Sequence, residues 1–126
     1  MPMAPPTLQG RSILIVEDEP LIVMALTQAL ESAGASVTTT NTLKHALLLV
    51  EHDGLSAAIL DHSLGRDKIA LLYKRLNERG IPFMIHSGNA PPEGAPEGVL
   101  HLSKPATPAA IVEAMEGLIR SAENSK

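Results

Sequence analysis

Residues 12–34 read SILIVEDEPLIVMALTQALESAG, and this stretch decides the fold. SILIV is a continuous β-favouring run with no polar alternation, the pattern of a strand covered on both faces. EDEP follows it. Pro20 has no amide proton to lose and a fixed φ, so it suits the first turn of a helix. Ile22, Leu26, Ala29, Leu30 and Ala33 then recur at helical spacing as one apolar stripe, and Gly34 closes the helix. A doubly covered strand, a short acidic loop and an amphipathic helix together open a parallel α/β sheet.

The chain repeats this unit. ASVTTT (35–40) is a second strand rich in β-branched residues. Thr42 caps a helix carrying Leu43, Ala46, Leu47 and Val50, which ends near Asp53–Gly54. AAIL (57–60) is a third strand and runs straight into Asp61; after HSLGR, Asp67 caps a helix bearing Ile69, Leu72, Tyr73 and Leu76, ended by Gly80. PFMIH (82–86) and VLHL (99–102) are the fourth and fifth strands. Thr107 and Pro108 open a last helix with Ile111, Val112, Met115, Leu118 and Ile119 inward. Between Ser87 and Lys104, Pro91, Pro92, Pro96, Gly94 and Gly98 oppose a regular helix, so the fourth helix is expected to be a single turn or an irregular loop. Right-handed crossovers make the whole a flavodoxin-like, doubly wound, five-stranded parallel sheet of strand order 2-1-3-4-5 with helices on both faces. Residues 1–10, with three prolines, read as a flexible N-terminal tail, 11–120 as the domain, and 121–126 as a C-terminal tail.

Composition excludes several classes of function. The 126 residues make one domain and contain no cysteine, so disulfides, thiolate metal sites and thiol nucleophiles are out. Tyr73 and Phe83 are the only aromatics, which implies an aliphatic core and denies the chain a base-stacking platform. The net charge is −4 and no basic run exceeds Lys74–Arg75, so there is no electrostatic footprint for direct DNA binding. The apolar run Leu21–Leu26 is far short of the roughly 20 residues that a membrane span needs. MPMAPPTLQGR has neither the basic nor the apolar region of a signal peptide, so a cytoplasmic location is expected. Five histidines (His45, His52, His62, His86 and His101) lack the spacing of a transition-metal site.

In this architecture chemistry sits at the carboxyl ends of the strands. Strand 1 ends in Glu17 and Asp18, strand 3 in Asp61, strand 4 in Ser87, and strand 5 leads to Lys104. Three converging carboxylates repel one another, and a hard divalent cation offsets that. An ammonium and a hydroxyl complete the set that a carboxylate nucleophile needs to accept a phosphoryl group: Asp61 supplies the attacking oxygen, while Lys104, Ser87 and Mg2+ neutralise or hydrogen-bond the transferring oxygens.

On ILIVEDEPLI (13–22), AAILDHSLG (57–65), PFMIHSG (82–88) and HLSKP (101–105), in that order, the chain resembles a receiver domain of the two-component response regulators. The resemblance implies Asp61 as phosphoacceptor, Asp18 as direct Mg2+ ligand, Glu17 as its acidic partner, and Ser63 as the residue whose carbonyl ligates the metal. It further implies Ser87 as the hydroxyl that senses the phosphoryl group, Gly88 as the small neighbour that leaves the phosphate path open, Lys104 as the phosphate-binding lysine, and a cis bond before Pro105. His62, beside Asp61, would shape access or phosphoryl lifetime. Where well-known receivers carry a switching Tyr or Phe, this chain has His101, an imidazole that could still swing and respond to pH. PFMIHSG and the absent aromatic also resemble an alphaproteobacterial subgroup labelled by a PFxFATGY-like motif, with His86 and Asn89 departing from it.

The function implied is a single-domain response regulator. It takes a phosphoryl group from the phosphohistidine of a sensor histidine kinase or phosphotransfer protein and binds a downstream protein target. A phosphate sink or phosphorelay shuttle is the alternative. An Asp-nucleophile phosphatase would want an acid/base Asp two residues after Asp61, where Ser63 stands. The expectation is therefore not an enzyme, beyond assisting its own phosphorylation and dephosphorylation.

Overall fold

Ile13, Leu14, Ile15 and Val16 are all fully buried, and the molecule is built outward from them. The structure, a computed structural model, describes residues 7–61, 69–88, 99–104 and 106–124. Its described elements are β1 (Ser12–Val16), α1 (Pro20–Ser32), β2 (Ser36–Thr40), α2 (Leu43–Leu49), β3 (Ala57–Leu60), α3 (Ile69–Glu78), β4 (Phe83–Ser87), β5 (Leu100–Ser103) and α4 (Pro108–Asn124). The strands pair in parallel in the order β2-β1-β3-β4-β5. This is the doubly wound flavodoxin-like sheet that the sequence implies.

Successive strand residues point to opposite faces, so each central strand feeds two cores. Leu14, Val16, Leu60 and Ile85 pack with Ala46 and Val50 on α2's side and with Leu72 and Leu76 of α3. Ile13, Ile15, Ile59 and Met84 pack with Leu26 and Leu30 of α1 and with Ile111, Met115 and Ile119 of α4. The two aromatics both join the first core, stacked with ring centroids 5.4 Å apart.

Local chemistry fixes the helix ends. Glu19 caps α1 by accepting a hydrogen bond from the Leu21 amide, with Pro20 in the first turn. Thr42 caps α2 by accepting from the His45 amide. α2 is shorter than the apolar spacing implies: it stops at Leu49, and turns carry the chain on to Gly54, which adopts φ +99°.

Two boundaries differ from the sequence reading. Residues 7–10 are not a free tail: Leu8 is only 1% exposed and its amide donates to the Ala33 carbonyl at 2.8 Å. Gly34 makes this docking fit, because it sits at φ +99° and a Cβ there would lie 3.0 Å from the Gln9 Cα. At the other end α4 runs on to Asn124, through residues assigned to the C-terminal tail, and Glu123 there pairs with Arg11. The proline-rich segment 89–98, where a short or irregular fourth helix is expected, lies outside the described residues. Leu8→Ala is expected to cost about 2–5 kcal/mol, the usual range for truncating a fully buried leucine. Urea unfolding measures it, and an unchanged midpoint would mean that the segment adds nothing to the core.

Candidate functional site

The sheet's hydrogen bonding continues one residue past β1 and β3. The Glu17 amide donates to the Thr40 carbonyl at 3.0 Å, and the Asp61 amide donates to the Val16 carbonyl at 3.0 Å. Both acidic residues are therefore held at fixed heights above neighbouring strands. Strand alternation puts them on one face, two residues after Ile15 and Ile59 respectively. Glu17 and Asp61 are buried, and Asp18 is exposed. Carboxylate oxygens of Glu17, Asp18 and Asp61 lie within 4.8 Å of one another, the only such group of potential metal ligands among the described residues.

Lys104 closes this cluster. Its amide donates to the Ser87 carbonyl at 2.7 Å, which ties the end of β5 to the end of β4. Its ammonium lies 2.9 Å from Glu17 Oε1 and 3.4 Å from Asp61 Oδ2. Glu17 Oε2 accepts from the amides of Asp18 and Glu19 at 3.0 and 3.2 Å. Burial raises the Glu17 pKa and nearby Asp61 adds to that, against the lowering pull of Lys104 and the Glu19 amide. For Lys104, burial alone would lower the pKa, but Glu17 and Asp61 outweigh it and hold the ammonium above its usual range. Three carboxylates against one ammonium leave negative charge in excess, all of it on hard oxygen donors. This suits a divalent cation such as Mg2+ and not a soft metal.

Ser87 occupies the last position of β4, not the loop after it, and its Oγ lies 2.6 Å from His101 Nε2 on β5. The two residues assigned to the switch are thus in direct contact. Gly88 follows, where a built Cβ would meet nothing within 4 Å among the described residues. His62, Ser63 and Pro105 lie outside the described residues, so the carbonyl ligand, the access residue and the cis bond assigned to them do too. A cleft of about 440 Å³ beside the acidic cluster is lined by Glu17, Asp18, Thr39, Thr40 and His45. His86 escapes a reading by motif: it is 4% exposed, and both its ring nitrogens lack a hydrogen-bond partner among the described residues. A histidine inside the aliphatic run PFMI-H-S was the one signal available for it.

A family model described as the response regulator receiver domain matches residues 13–116. The chain belongs to that family. Receiver domains work in two-component signalling, where they interact with histidine kinases and downstream partners. A receiver domain protein from Methanospirillum hungatei is 25% identical, with a TM-score of 0.78 over 92% of this chain and 98% of that one. The response regulator PhyR from Brucella abortus is 27% identical, with a TM-score of 0.78 over 95% of this receiver but only 52% of that longer chain. The receiver domain of the sensor histidine kinase PA1611 from Pseudomonas aeruginosa shares the fold at 23% identity and a TM-score of 0.76, over 88% of this chain and 98% of that one. That protein has a magnesium ion coordinated in its active site cleft. No curated protein matches this receiver. No described helix is long and apolar enough to cross a membrane.

Proposed function

We propose that Asp61 accepts a phosphoryl group from the phosphohistidine of a sensor histidine kinase or phosphotransfer protein, and that the phosphorylated chain signals by binding a downstream protein. The observation that carries this reading is the placement of the Lys104 ammonium across two buried carboxylates, one of which ends the strand at the centre of the family's site. Glu17, Asp18 and Asp61 would hold Mg2+, together with the Ser63 carbonyl that the family resemblance implies. When bound, the ion supplies neutralisation of the phosphoryl oxygens and of the crowded carboxylates.

The chain's own residues do the rest. An Asp61 carboxylate oxygen forms the new O–P bond as the donor's N–P bond breaks, and the electron pair of that bond returns to the donor imidazole. The product on Asp61 is a mixed anhydride, an aspartyl phosphate. Lys104 stands near enough to exchange its Asp61 contact for a phosphoryl oxygen while keeping Glu17. The Ser87 hydroxyl, now on His101, is free to donate to the phosphoryl group once it turns away. That turn breaks the Ser87–His101 contact and so passes the state of Asp61 to β5 and its surface. This makes His101 the outer half of the switch in place of an aromatic ring. In this reading the chain acts as a signalling protein whose chemistry is confined to assisting its own phosphorylation and dephosphorylation. The subgroup resemblance stays with PFMIHSG and the missing aromatic.

Intact mass after incubation with acetyl phosphate tests the reading. One phosphoryl group gained with Mg2+ present, and none with the ion chelated, is the expected result. No gain under either condition, from acetyl phosphate or from a phosphorylated histidine donor, would sink it.

A further inference from the structure

His86 stands in the same row of the sheet as the phosphoacceptor. Leu60 pairs with Ile85, so the next step along both strands sets Asp61 beside His86. His86 in turn pairs with Leu102, two residues before Lys104. The faces agree as well. His86 follows Met84 by two, and Met84 packs with Ile15 and Ile59, which precede Glu17 and Asp61 by two. Glu17, Asp61, His86 and Lys104 therefore share one face at the top of the sheet.

The imidazole is 4% exposed, and neither nitrogen has a hydrogen-bond partner among the described residues. A neutral imidazole always carries one N–H donor. Burying a donor without an acceptor is unfavourable, and an aliphatic residue at this position would pack against Met84 with no such penalty. The neighbouring cation, Lys104, is already engaged by Glu17 and Asp61. What the site gains in its other state is a phosphoryl group, with oxygens that accept hydrogen bonds.

We propose that His86 is a phosphoryl-binding residue, whose ring N–H donates to the phosphoryl group on Asp61 alongside Lys104 and Ser87. The proposal rests on Asp61 being the phosphoacceptor. Burial, and then the Lys104 charge, hold the His86 pKa below the usual histidine range against a smaller upward pull from Asp61; His101 adds a further downward push. In either protonation state the ring offers at least one N–H to a phosphoryl oxygen.

Beryllofluoride, a non-hydrolysable stand-in for a phosphoryl group, tests this with Mg2+ on the full chain. His86→Leu is expected to weaken beryllofluoride binding about tenfold, the effect of removing one hydrogen bond to a charged acceptor. His86→Gln, which keeps an N–H, is expected to recover most of that loss. In wild type with labelled histidine, beryllofluoride should bring out a His86 ring N–H signal protected from exchange, which a purely structural side chain would not give. His86→Leu binding as tightly as wild type, or no protected ring signal, would overturn the proposal. Should His86→Leu not fold, the ring signal alone decides. Wild type that fails to bind beryllofluoride at all would overturn the Asp61 reading itself and this proposal with it, an outcome distinct from a normal wild type with unaffected variants.

Discussion

Asp61→Asn is expected to abolish phosphoryl uptake and, at the same time, to make the domain more stable. The first half is chemical: an amide oxygen is too poor a nucleophile to form the mixed anhydride, and no other group in the cluster stands at its position. The second half is electrostatic. Glu17 is 2% exposed, Asp61 is 3% exposed, and their carboxylates share one ammonium. Removing one of two crowded like charges gains more than the longer Lys104 contact loses, a net of about 1–2 kcal/mol in divalent-free buffer at an intermediate dielectric. Thermal melting should register this as an upward shift of about 4 °C per kcal/mol. The pH dependence has a defined sign. The folded Glu17 pKa is raised above its ordinary 4.5. Its contribution is therefore fully present below that value and is lost as pH rises through the raised folded pKa. Lys104, also raised, gives up its contribution only in the alkaline range. Wild type without divalent cation is thus expected to gain stability as pH falls toward the ordinary Glu value of 4.5, and Asp61→Asn should flatten that gain. A variant that melts lower than wild type, with no change in the pH profile, would contradict the crowding argument.

Lys104→Ala is expected to damage both the fold and the chemistry. It strands two buried carboxylates without their cation, at a cost of about 3 kcal/mol, the low end for a broken buried ion pair because the Lys104 side chain is 19% exposed. Phosphoryl uptake should slow about a hundredfold or more, the usual effect of deleting one preorganised donor to a transferring group. Lys104→Arg should restore stability better than rate, because a planar guanidinium can pair with Glu17 but cannot occupy the position of a compact ammonium. Urea unfolding and the initial rate of mass gain from acetyl phosphate separate the two effects. Lys104→Ala with a wild-type rate would remove Lys104 from the chemistry.

Much of this was legible in the sequence because it depends on strand ends. ILIV and AAIL are short, fully buried runs with polar residues immediately after them, so the places of Glu17, Asp18 and Asp61 follow once the sheet is recognised as parallel. Lys104 and Ser87 follow in the same way, although Ser87 turns out to belong to β4 itself. Leu8 was hidden by its setting. Prolines around a lone leucine read as a tail, and only the approach of Gln9 to the side-chainless Gly34 shows why the segment docks. The direct Ser87–His101 contact needs the β4–β5 register, which pairs Ile85 with His101 and sets Ser87 two residues further along the same face. No spacing within one strand reveals that. His86 was visible as a polar residue in an apolar strand, but its bearing on the site depends on its row in the sheet, which again is a property of strand pairing.

The most direct test is where the phosphoryl group goes. The wild-type chain, treated with acetyl phosphate and Mg2+, is reduced with borohydride, which converts an acyl phosphate to an alcohol, and is then digested and sequenced by mass spectrometry. Reduction confined to position 61 is the predicted result. Reduction at another carboxylate, Glu17 or Asp18 included, or a phosphoryl group found on a hydroxyl or an imidazole with Asp61 intact, would contradict the account.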